Sequence, residues 1–101
     1  MVFTGTLKNV EFFKIEEMVF IYGIIVEHKS NRWVKGDWFC SSLLRKVDEK
    51  CLVVITQNSI YKVDNISAPI ILCENQWGLV RQGVSPREII AIESKLQSKK
   101  Y

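Results

Sequence analysis

Three stretches of this chain are apolar at consecutive positions rather than at alternate ones. Phe20, Ile21, Tyr22, Ile24, Ile25 and Val26 make the first, Leu52, Val53, Val54 and Ile55 the second, and Ile70, Ile71 and Leu72 the third. Successive side chains of a strand point to opposite faces, so a half-solvated strand alternates apolar with polar residues and a run without alternation needs cover on both faces. A curled sheet hides its inner face, and a helix shields part of the outer one. Gly23, inside the longest run, suits a bulge or bend where a sheet curls. The expected fold is therefore mainly β, of α+β type: a strongly bent antiparallel sheet or small partial barrel with one C-terminal helix against its side.

The rest of the pattern agrees with such a sheet. Strand-forming residues gather at Val2 to Leu7, Glu11 to Ile15, Met18 to Glu27, Asp37 to Leu44, Cys51 to Thr56, Ser59 to Val63 and Pro69 to Cys73. His28-Lys29-Ser30-Asn31 and Val47-Asp48-Glu49-Lys50 supply turns, and Gln57-Asn58 suits a two-residue hairpin because Asn tolerates positive φ. Consecutive strands should pair antiparallel. At 101 residues, with 48% hydrophobic and 25% charged, the chain is expected to form one domain over 1–101, with the β part at 1–84 and the helix at 85–99.

The helix has the clearest local signature. Ser85 stands at the N-cap, Pro86 at the first helical position and Glu88 where its side chain can reach back to the cap, which is a capping box. Val84 and Ile89 suit the hydrophobic staple, and Ile89, Ile92 and Leu96 form an apolar stripe expected to pack on the sheet. Lys95, Lys99 and Lys100 crowd the last turn, where the helix dipole favours cations. They read as helix termination, with a basic binding tail as the alternative.

Met18 to Val26 is flanked by Glu17 and Glu27 and is far shorter than the roughly 20 residues of a membrane helix. The N-terminal stretch carries Glu11, Glu16 and Glu17 and lacks the pattern of a secretory leader, so the expected location is the cytoplasm, with no membrane partner. Cys40, Cys51 and Cys73 are widely spaced and each adjoins an apolar stretch, so they are expected to be reduced, buried small hydrophobes. Neither metal nor cofactor is expected: no paired Cys or His spacing is present, and His28 is the one imidazole.

The candidate chemistry lies at 28–38, where Lys29, Arg32 and Lys35 interleave with Trp33 and Trp38. Cations offset phosphate charge and indoles stack on bases, which is what single-stranded nucleic acid requires. Residues 28–50 hold six Lys or Arg against three acids. A formal net charge of +3 is nevertheless mild for a nucleic-acid-binding domain. The competing reading puts the indoles at the end of the core and leaves the cations as a solvated loop. Catalytic signals are weaker: His28 adjoins a turn while Cys40 falls within a strand, the adjacent acids Glu16-Glu17 and Asp48-Glu49 suit solvated turns, and the glycines form no phosphate-binding motif.

Gly23-Ile24-Ile25, Arg32-Trp33, Gly36-Asp37-Trp38, Ser41-Ser42-Leu43-Leu44 and Thr56-Gln57-Asn58-Ser59-Ile60-Tyr61 follow one another over about the middle half of the chain. In this succession it resembles small uncharacterised bacterial proteins of mobile elements, of the integron gene cassette or phage type. The resemblance implies an accessory, non-catalytic protein and carries over no functional residue.

The expected function is a small non-catalytic binding or interaction module, self-associating or protein-binding. The alternative is a single-stranded nucleic-acid-binding domain using the 28–38 loop. If one helix leaves part of the doubly apolar strands uncovered, a homodimer would bury them, through Phe20, Tyr22, Ile24, Val53, Ile55 and Ile71.

Overall fold

The structure, a computed structural model, describes residues 3–30 and 32–98. Val2, Asn31, Lys99 and Lys100, which figure in the expectations above, lie outside the described residues, as does the Leu96 side chain.

Seven strands and two helices follow in order: β1 (Gly5–Ile15), β2 (Met18–His28), β3 (Trp38–Cys40), β4 (Leu44–Asp48), β5 (Val53–Thr56), β6 (Ile60–Lys62), β7 (Ile70–Leu72), α1 (Glu74–Val80) and α2 (Pro86–Ser98). The fold is mainly β, as the apolar runs require, in one sheet ordered β3-β2-β1-β6-β5-β4, with β7 also paired to β1.

The frame is the β1–β2 hairpin, turned through Glu16 and Glu17 with Ile15 opposite Met18. What reads as two N-terminal strands is one bulged strand. Asn9 takes φ 53°, and the Asp64 carboxylate accepts the N–H groups of Asn9 at 2.7 Å and Val10 at 3.2 Å. The bulge leaves Gly23 opposite the irregular stretch between Lys8 and Glu11. A β-carbon at Gly23 would come within 3.2 Å of both the Lys8 carbonyl and Val10 Cγ2, so glycine permits the close approach of the strands there.

Two features depart from an all-antiparallel sheet. β1 pairs parallel to β6 at Gly5 and Thr6, and parallel to β7 at Phe13, Lys14 and Ile15. An 11-residue strand thus seats two three-residue strands along one side. The expected strand from Asp37 to Leu44 also breaks in two. The Ser41 hydroxyl accepts the Ile21 N–H at 3.0 Å and donates to the Ser42 carbonyl at 2.8 Å, so a side chain takes over a ladder position and the chain leaves β2. β3 and β4 consequently stand at opposite ends of the strand order, with an open seam between them.

The middle of the first doubly apolar run is covered from both sides. In β2, Ile21 and Ile25 join Leu7, Phe12, Phe39, Val54 and Tyr61 in the inner core. Phe20 and Tyr22 join Phe13, Ile15, Leu72, Val80 and Ile89 in an outer core that includes helix residues. A single C-terminal helix does not account for this cover. The segment after β7 forms α1, whose start is closed by the Cys73 N–H donating to Gln76 Oε1 at 2.7 Å. In α2 the Glu88 N–H donates to Ser85 Oγ at 3.2 Å, and the Arg87 N–H donates to Glu11 Oε1 at 2.8 Å. A carboxylate from β1 thereby complements the positive end of the helix. Of the expected stripe, Ile89 is buried, whereas Ile92 is 50% exposed. No helix among the described residues is long and apolar enough to cross a membrane.

Candidate binding groove

All three tryptophans, Trp33, Trp38 and Trp77, line one open groove of about 590 Å³ beside β3. Each arrives from a different element. Trp38 stands on β3 opposite Ile24, and its indole lies parallel to the Tyr22 ring, with centroids 6.3 Å apart and planes at 8°. The Tyr22 hydroxyl donates to the Gly83 carbonyl at 2.9 Å, tying the turn between the helices to this pair. Trp77 stacks on Phe20 at 5.1 Å, and the Arg81 guanidinium rests over its ring, 5.3 Å from the centroid. Among the described residues no partner takes the buried Trp77 Nε1 proton.

Trp33 comes from the loop after β2. That loop is held by backbone bonds from Gly36 N–H to the Ile25 carbonyl at 2.8 Å and from Asp37 N–H to the Val34 carbonyl at 3.0 Å. The Trp33 ring meets Phe39 edge-on at 4.9 Å, so part of it packs against the inner core while it also faces the groove. Cys40, Ser41, Ser42, Leu43 and Gln57 form the floor at the seam, where the Gln57 N–H donates to the Leu43 carbonyl at 2.8 Å. Among the described residues, Arg81 is the one charged side chain that lines the groove, and no carboxylate does.

The structure divides the basic aromatic cluster. Trp33 and Trp38 turn to the groove, whereas Lys29, Arg32 and Lys35 are exposed and do not line it. Lys29 borders a different hollow with Thr4, Gly5, Thr6 and Glu27. Trp77 and Arg81 escape a reading of the sequence because residues 74–81 carry no strong helical stripe. The four-residue spacing from Trp77 to Arg81 becomes informative only once that segment is known to be helical.

The six residues considered for self-association separate as well. Phe20, Tyr22 and Val53 are buried within the chain, Ile24 and Ile55 are half-buried, and Ile71 is 67% exposed. α1 adds cover over Phe20 that one helix does not supply, while Ile71 remains exposed. Val53 and Ile55 also border a smaller hollow of about 270 Å³ with Phe3, Lys46, Asp48 and Cys51.

The thiols depart from the expectation of three buried hydrophobes. Cys51 and Cys73 are exposed and Cys40 is partly buried, all free. Cys51 lies in the β4–β5 turn, where its N–H donates to Asp48 Oδ1 at 3.1 Å. Burial pushes the Cys40 thiol up to about 11, against a smaller opposing pull from Arg81. Cys40 therefore faces the groove as a protonated thiol, unsuited to nucleophilic attack at neutral pH. His28 is engaged elsewhere. Its Nδ1 accepts the Ser30 N–H at 3.0 Å, and its Nε2 is 3.3 Å from the Tyr61 hydroxyl. Desolvation and then the Arg32 charge hold the imidazole below its ordinary value. No cluster of three or more His, Cys, Asp or Glu that could hold a metal ion occurs among the described residues.

The arrangement is thus an aromatic concavity with hydroxyl and amide groups on its floor and a single cation at its rim. No protein-family model, curated protein or solved structure matches the chain.

Proposed function

We propose that this chain is a non-catalytic binding module whose recognition surface is the groove beside β3. The observation that carries the reading is the convergence of Trp33, Trp38 and Trp77 from three separate elements on one open concavity. Indoles supply large, rigid contact area, and tryptophan and arginine are enriched among residues that dominate binding energy. The groove offers both residue types side by side, in Trp77 and Arg81. Its one thiol is protonated at neutral pH, which favours recognition over chemistry. A second copy of the chain is among the partners this reading admits, with Ile71 the most exposed of the six residues considered for self-association.

The test is selection of random displayed peptides against the folded protein, followed by amide and indole N–H spectra of the labelled chain. Selected peptides should move the indole signals of Trp33, Trp38 and Trp77, and Trp38→Ala should weaken them. Binders that leave all three signals unmoved would overturn the groove as the recognition surface.

Single-stranded nucleic acid is a second reading, favoured by the exposed Lys29, Arg32 and Lys35 in the segment that carries both Trp33 and Trp38. Oligothymidylate should then quench tryptophan emission, with an affinity that falls steeply as salt rises. Absence of quenching at low salt removes this reading.

A further inference from the structure

The backbone of β3 carries information that the groove's side chains do not. Ile25 N–H donates to the Asp37 carbonyl and Ser41 N–H to the Ile21 carbonyl, each at 2.9 Å, and Phe39 lies opposite Gly23. Backbone groups of an antiparallel strand point alternately to its two sides, so residues 37, 39 and 41 face β2 while Trp38 and Cys40 direct theirs away from it. Among the described residues β3 has no strand beside it on that side, because it ends the sheet. Trp38 and Cys40 are themselves lining residues, so the unpaired edge forms one border of the groove.

An unpaired edge is a template for another strand, and domains that bind peptides this way draw affinity from main-chain bonds and specificity from pockets for alternate side chains. A strand laid against Trp38 and Cys40 would present every second side chain to the outer face, where Trp38 and Trp77 stand. Charge then selects between polypeptides: among the described residues, Arg81 lines the groove and no carboxylate does. A nucleic acid is matched less well, since Lys29, Arg32 and Lys35 lie outside the lining and nucleic acid lacks the regular N–H and C=O spacing that a strand edge presents.

We infer that β3 accepts an extended acidic segment of a partner polypeptide as an added strand, with apolar side chains against Trp38 and Trp77 and a carboxylate at Arg81. The inference rests on the groove being the recognition surface and specifies its occupant.

The test uses the labelled full chain and three probes: capped synthetic peptides with randomised apolar residues and one Glu among the alternate positions that share one strand face, the same pool with Lys in place of Glu, and oligothymidylate. The Glu pool should move the indole signals, slow hydrogen exchange at the Trp38 and Cys40 amides, and bind roughly five- to tenfold more tightly than the Lys pool, as an exposed ion pair exchanged for a like-charge pair implies. Arg81→Gln should abolish that preference and Arg81→Glu reverse it. Equal binding of the two pools overturns the acidic occupant. Indole shifts without protection at Trp38 and Cys40 overturn strand addition while leaving the groove reading intact. A response to oligothymidylate and to neither pool assigns the groove to nucleic acid and overturns the inference, and silence with all three probes overturns the inference and the groove reading together.

Discussion

Gly83 lies against the indole of Trp38 so closely that a β-carbon at position 83 would sit 2.8 Å from Trp38 Nε1. Gly83 also takes φ 103°, a conformation that other residues adopt only with strain. Gly83→Ala should therefore cost about 1–3 kcal/mol and displace the Trp38 indole signal. Gly78, within α1, has open space where a β-carbon would go, so Gly78→Ala should stabilise by up to about 1 kcal/mol and leave Trp38 unmoved. Denaturant midpoints and indole spectra of the two variants separate these effects, and a neutral Gly83→Ala would refute the account of the Tyr22–Trp38 site.

The α2 cap gives a second prediction. Ser85 is buried and its Oγ accepts the Glu88 N–H, so Ser85→Ala should lower stability by about 0.5–2 kcal/mol. An unchanged denaturation midpoint would contradict it.

Thiol reactivity should be split two to one. Cys51 and Cys73 are exposed and Cys40 is not, and the Cys40 thiol is raised to about 11 by burial. A disulfide reagent added to folded protein near neutral pH should consume two thiols rapidly and the third slowly, and denatured protein should yield all three together. A single fast phase of three would mean that the groove floor opens readily.

Acid should act through two groups in separate ranges. His28 has a folded value below the ordinary 6.5, so the unfolded chain binds the proton more readily. Its contribution to stability is complete above about that value and is lost as pH falls through the folded one. Protonation of Nδ1 also removes the acceptor for the Ser30 N–H. Asp64 is raised by desolvation, but bonds from Asn9, Val10 and Asn65 outweigh this and leave it below 3.8, so its contribution is present above that value and lost in stronger acid. Denaturation midpoints across pH should fall in the mildly acidic range for the native chain and not for His28→Phe. Equal slopes in the two proteins would rule out His28 as the cause.

The sequence by itself determined that this chain is mainly β and that its strands need cover on both faces, because side-chain alternation is a local property of each run. It also located the Ser85 cap of α2, since a cap acts within one turn, and it marked Gly23 as a place for a bulge or bend. Tertiary structure decided which strands pair. The parallel seating of β6 and β7 along β1, and the break at Ser41 that leaves β3 as an edge, depend on partners far away in the chain. It also decided the site. Trp33 and Trp38 look like one basic aromatic loop in the sequence, yet the sheet turns both indoles toward Trp77, some 40 positions later, and leaves the neighbouring lysines outside. Convergence of that kind is set by long-range pairing and packing, which no local residue pattern encodes.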